Sequence, residues 1–225
     1  MLKKVIALLL VVLCFTTTAF AEGKLKATEK VFIVCDGEGY FYAKIENVGD
    51  AAASTGYGDL VAFDDDDEII FSTNYVSTYP SGIVLEPGES LYLEESVWEN
   101  ALKETPVADY KFSLPVASDG QTITRVPSEA TFELTDEEYS YENYIYVTFT
   151  NSAEEPISGF YISAALYDAD GNLIYVGTNQ ISNVAIHPGS TVTAKMSIDS
   201  NIVSYYRENN ITPASANAVV FYVNK

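Results

Sequence analysis

Groups that commonly carry chemistry are scarce in this chain. Its 225 residues include two cysteines, one histidine and one tryptophan, and 12 basic residues face 32 acidic ones. With a single histidine, His187, any Ser-His-Asp or Cys-His arrangement has only one choice of base. One histidine and so few thiols also argue against a zinc site. The shortage of positive charge leaves no basic stripe for phosphates, which disfavours nucleic acid and anionic lipid as partners. The long apolar run of a membrane helix is missing too. Val5 to Phe15 is apolar but falls short of the about 20 residues a span needs. With Lys3 and Lys4 before it and Ala19-Phe20-Ala21 after it, residues 1–21 read as a secretory signal peptide cleaved after Ala21. The expected product is secreted, with no membrane insertion. It keeps one cysteine, Cys35, and so has no internal disulfide. Cys35 reads as a small buried residue, with an exposed thiol pairing between chains as the alternative.

What the sequence has in quantity is repetition. Phe41-Tyr42-Ala43-Lys44-Ile45-Glu46-Asn47 returns as Ile145-Tyr146-Val147-Thr148-Phe149-Thr150-Asn151, and Leu85-Glu86-Pro87-Gly88 returns as Ile186-His187-Pro188-Gly189. Self-similarity at about a hundred residues implies two copies of one unit, each long enough for its own core. Splitting after Val126 leaves net charges of −13 and −9 beyond the signal, so both copies are acidic. His187 occupies a turn position where the first copy has Glu86, which marks it as a surface residue.

Both copies read as strands. Ile145, Val147 and Phe149 alternate with polar neighbours, as do Phe41, Ala43 and Ile45 against Tyr42, Lys44 and Glu46, the period of a half-buried strand. Phe160–Asp168 places Phe160, Ile162, Ala164 and Leu166 on one face. A hairpin turn at Asp168-Ala169-Asp170-Gly171-Asn172 leads into Leu173–Thr178. The first copy has Asp64-Asp65-Asp66-Asp67 at the equivalent turn. Before the last strand of each copy the period becomes helical. Ser96-Val97-Trp98-Glu99 reads as a capping box with Val97, Trp98, Ala101 and Leu102 on one face. Ile202, Tyr205 and Tyr206 play the same part in the second copy. The expected fold is all-β, two tandem immunoglobulin-like β-sandwich domains, each with one short helix before its last strand. Domain 1 covers 22–115, a linker 116–128, and domain 2 129–225.

The run Asn151, Leu166-Tyr167-Asp168-Ala169-Asp170-Gly171 and Pro188-Gly189 resembles the FxLYD domain, a small immunoglobulin-like module of exported bacterial proteins. The resemblance covers about residues 140–198, and more faintly 38–95. Ala164 and Leu60 stand where the family has its naming phenylalanine. The resemblance implies a structural or binding module and supplies no catalytic residues.

Three groups of residues invite a functional reading. Tyr161, Tyr167 and Tyr222 fall opposite the apolar set, and tyrosine gives recognition surfaces apolar area with a polar tip. They form the candidate ligand-binding face; the alternatives are plain β propensity or cover by the other domain. Asp64, Asp66 and Asp67 are a candidate calcium site, because hard cations take several carboxylate oxygens, although the turn lacks the ligand ladder of a calcium loop. A solvated hairpin tip is the competing reading. Lys44 alternates outward, which argues against an isopeptide crosslink. No cofactor other than calcium suggests itself. Nothing singles out a carboxylate pair for hydrolysis, so the chain reads as a non-enzyme. The expected function is a secreted binding or interaction module of the bacterial envelope or medium, its partner an envelope protein or a glycan. The alternatives are a structural spacer without its own ligand and a carboxylate-dependent hydrolase, which two carboxylates converging in a cleft would favour.

Overall fold

A computed structural model describes residues 22–135 and 142–224. The proposed signal peptide, residues 1–21, lies outside the described residues. The fold is all-β, with several small sheets. In the first half these are β1 (Leu25–Cys35), β2 (Glu38–Asn47), β3 (Ala53–Thr55), β4 (Gly58–Phe63), β5 (Ile69–Val76), β6 (Val84–Leu85), β7 (Ser90–Val97), β8 (Asp109–Ser113) and β9 (Val116–Ala117). The second half has β10 (Ile123–Val126), β11 (Ser128–Glu133), β12 (Tyr144–Thr150), β13 (Phe160–Asp168), β14 (Leu173–Ile181), β15 (Thr191–Ser197) and β16 (Pro213–Val223). Two helices, α1 (Ala101–Glu104) and α2 (Ser200–Asn209), precede β8 and β16.

The strand orders repeat. β1-β2-β7 matches β11-β12-β15, and β5-β4-β8 matches β14-β13-β16, to which β10 adds an edge. In each half the two sheets meet through the residues that alternation assigns to the core. Phe41 lies against Phe112 with ring centroids 4.7 Å apart, and Phe149 against Phe160 at 5.0 Å.

The two asparagines that end β2 and β12 are fully buried and do the same work. Asn47 Nδ2 donates to the carbonyls of Ala51 and Leu85, both at 2.8 Å, and its Oδ1 accepts from Gly49 N at 3.0 Å. Asn151 Nδ2 donates to Glu155 O at 3.2 Å and Ile186 O at 2.8 Å, and its Oδ1 accepts from Ala153 N at 2.9 Å. Each side chain thus satisfies backbone groups that a bend between sheets would leave buried and unpaired. Beside them, Pro87-Gly88 and Pro188-Gly189 form equivalent turns. Glu89 N donates to Glu86 O at 2.9 Å and Ser190 N to His187 O at 3.1 Å. Gly88 and Gly189 take φ of 80° and 73°, which glycine adopts without steric cost.

Three local expectations need correction. The Ser96–Glu99 capping box does not form: β7 runs on to Val97, α1 is one turn long, and Asn100 at its start makes no side-chain cap. Trp98 is consequently 75% exposed rather than packed, while Val97 and Leu102 are buried. Residues 116–128, the expected linker, contain paired strands. β9 pairs with β3, β10 pairs with β16, and Gln121 bridges to Ile83. Finally, β2 and β13 are buried on both faces rather than one. The reason is that the outer face of the β1-β2-β7 sheet packs on β13 and β14 of the second half.

Candidate functional site

The junction between the halves is built largely from tyrosine. Tyr92 and Tyr167 approach with hydroxyls 3.1 Å apart, and the rings of Tyr42 and Tyr175 lie 5.3 Å apart. Tyr161 stacks on Phe221 at 5.6 Å and meets Tyr79 edge-on at 5.7 Å. Phe221, though on β16, is a fully buried member of the first half's core. Polar ties cross at the same place. Glu94 Oε1 accepts from the Thr178 hydroxyl at 2.6 Å and its amide at 2.9 Å, and Arg125 Nη2 donates to Ser90 O at 2.7 Å.

These contacts correct the reading of the three candidate tyrosines. Tyr167 is buried and Tyr161 half-buried, both against the first half. Tyr222 lies on the other face, because it pairs with the core residue Phe160 and touches its ring at 5.7 Å. They do not form one surface. Cover by the other half, the alternative considered for them, accounts for the first two.

The calcium candidates serve the turn instead. Asp64 Oδ1 accepts from Asp66 N at 3.0 Å and Glu68 N at 2.8 Å. Asp168 Oδ1 accepts from Asp170 N at 3.0 Å and Asn172 N at 2.8 Å, the same pattern. Asp67 supplies the left-handed residue at φ 62°, and among the described residues no three potential metal ligands gather. Local backbone bonding accounts for Asp64 in this turn. His187 is exposed in its turn, and Lys44 pairs with Glu29 at 3.1 Å. Cys35 is half-buried; burial, then Asp199 and Glu38, push its thiol up to about 12, so it is a poor nucleophile at neutral pH.

At one side of the junction the halves part into a cleft of about 450 Å³. β2 contributes Tyr40 and Tyr42, β7 contributes Glu94, β14 contributes Tyr175, and the turn into α2 contributes Asp199. Asp199 caps α2 by accepting from Asn201 N at 2.8 Å, which fixes its carboxylate at the cleft wall. Burial raises the Glu94 carboxyl above the usual range, opposed by its two bonds from Thr178. Tyr175 is raised by burial first and then by the negative charges of Glu94 and Asp199, so both carboxylates act on the same volume. Lys195 also lines the cleft, but its ammonium sits 3.5 Å over the Tyr144 ring.

The Tyr42 hydroxyl is among the polar atoms here without a protein partner among the described residues. Tyr42 is 2% exposed, lines the cleft, and its hydroxyl makes no hydrogen bond among the described residues. Tyr40, by contrast, donates to Glu38 Oε2 at 2.7 Å. The oxygen is not sealed from solvent but opens on the cleft, where a bound group can pair with it. None of these residues stood out in the sequence. The available signal was that Tyr40, Tyr42, Tyr92 and Glu94 share one face of adjacent strands, since Tyr42 pairs with Glu94 in register.

The chain matches no protein-family model and no curated protein. Among solved structures it is similar to a transglutaminase of red sea bream, with a TM-score of 0.25 and 12% identity, covering 91% of this chain and 29% of that one. The chain thus spans less than a third of that protein's length. The expectation of a non-enzyme is corrected on this point: the similar structure is that of an enzyme, so the exclusion does not stand. At this TM-score the likeness gives no argument for any particular activity.

Proposed function

We propose that the protein is an exported interaction module made of two tandem immunoglobulin-like units of FxLYD type, with its ligand held in the cleft at their junction. The observation that carries this reading is Tyr42, a buried side chain whose hydroxyl has no partner among the described residues and opens on a cleft with walls from both halves. A fold that needed only a seam there would close it, whereas binding sites keep a few directed polar groups in a concavity of this size. The repeated strand orders and the paired Asn47 and Asn151 bends support the two-unit description. Lys3, Lys4 and the apolar run before Ala21 support export. The partner is an envelope protein or a glycan. Capture of envelope extract and glycan arrays by wild type, against Tyr42→Phe and Glu94→Gln, tests the reading. Retention should drop with either substitution; equal retention by all three would place the ligand elsewhere.

A second reading, hydrolysis by a carboxylate pair, is favoured by one observation. Glu94, raised toward the protonated form, shares the cleft with Asp199. Release of nitrophenol from aryl glycosides by wild type and not by Glu94→Gln would support it, and no release above buffer would remove it.

A further inference from the structure

We infer that the cleft takes an organic cation with hydrogen-bond donors, an ammonium or guanidinium group, with Glu94 and Asp199 as countercharges and the Tyr42 hydroxyl as an acceptor. The inference rests on the binding reading above and adds the chemical class of the ligand.

Charge leads the argument. Two carboxylates act on the interior of the cleft, and Lys195, its one basic lining residue, is engaged over Tyr144. An anion would meet that field unpaired, at a heavy desolvation cost. Hydrogen bonding points the same way. Oε1 of Glu94 is taken by Thr178 and Oδ1 of Asp199 by Asn201, which leaves the second oxygen of each as an acceptor. The Asp199 Oδ2 oxygen lies 3.4 Å from the Tyr40 hydroxyl, whose proton goes to the nearer Glu38. A ligand rich in donors satisfies these oxygens together with Tyr42. A bare metal ion fits poorly, because no three metal-ligating side chains gather among the described residues. The tyrosine rings of the walls suit a cation as well, through their negative faces. The source is either a free amine or a basic side chain of a peptide.

The test follows the backbone amides of Gly177 and Thr178 by NMR while the protein is titrated with putrescine, with tetralysine and with glucose. Both cations should give saturable shifts that weaken with added salt, and Glu94→Gln and Asp199→Asn should each lower their affinity tenfold or more. Tyr42→Phe, the smallest change to the fold, should lower it about threefold. Tighter binding of tetralysine than of putrescine assigns a basic peptide, and similar affinities assign the amine alone. Cation shifts untouched by all three substitutions, or no cation shifts, overturn the proposal. Shifts with glucose alone overturn the cation and leave the binding cleft standing; silence toward all three probes overturns both.

Discussion

Tyr42 and Tyr146 occupy the same place in two copies of one strand and meet opposite fates. Tyr146 faces outward on β12, its hydroxyl 3.1 Å from Glu133. Tyr42 on β2 packs against Tyr175 of the other half, and its hydroxyl has no partner among the described residues. The difference arises because the halves do not meet symmetrically. The first offers the outer face of β1-β2-β7, and the second offers β13 and β14, which correspond to β4 and β5. Repeated strand orders therefore meet in an unrepeated junction, and what the halves share is scaffold.

The comparison breaks most severely if the shared core is emptied. Phe221→Ala removes a fully buried ring that β16 lends to the first half, and it should cost about 4 kcal/mol. Hydrogen exchange should then quicken in β4 as well as in β13. Exchange confined to β13 would mean that the halves fold independently.

Next come the paired bends. Asn47→Ala and Asn151→Ala each strand two backbone carbonyls, one of them buried, at a cost of about 3 kcal/mol in denaturant unfolding. The bonding matches apart from one further bond, Lys24 N to Asn47 Oδ1 at 3.2 Å, so the two losses should be close, with that at Asn47 the slightly larger. A large inequality would show that the copies share a motif without sharing its energetics.

The aspartate turns sharpen the comparison with a gain. Asp67 sits at φ 62° where Gly171 sits at φ 82°. Asp67→Gly should stabilise the first hairpin by about 1 kcal/mol by relieving the Cβ clash, read as a higher melting midpoint. Calcium should leave the midpoint unchanged before and after the substitution.

The smallest expected change is at Glu94, and its sign depends on pH. A folded-state pKa raised by burial means that ionisation disfavours the folded state. The contribution is favourable below the unfolded carboxylate's pKa and is lost as pH rises through the folded one. Glu94→Gln keeps an acceptor for Thr178 and should raise the midpoint at pH 7, with the gain shrinking as the pH falls through the raised folded pKa and gone below the usual carboxylate range. A loss at pH 7 would make Glu94 a structural tie rather than a charge kept for a ligand.

Much of the scaffold is legible in the chain. Phe41-x-Ala43-x-Ile45 and Ile145-x-Val147-x-Phe149 give the strands, Pro-Gly gives the turns, and Asn47 and Asn151 stand out because they recur. The junction is not legible, for a physical reason. Tyr42, Tyr92 and Tyr167 alternate with the core in the same way whether their face meets water or another sheet. Tyrosine suits both surroundings, so period alone does not separate them. The cleft is harder still to read, because Glu94 and Thr178 meet across 84 positions of sequence with no local motif. Trp98 misleads in the other direction: a ring beside a helical pattern suggests packing, yet a one-turn helix has no face long enough to bury it.

Phe221 also sets an order of events in time. The core around Phe41, Leu60 and Leu93 is not complete until a residue more than a hundred positions further on has arrived. While the chain emerges from a ribosome, the first half lacks one ring of its core until the final strand supplies it. The last strand to be made is thus a late latch on the first core.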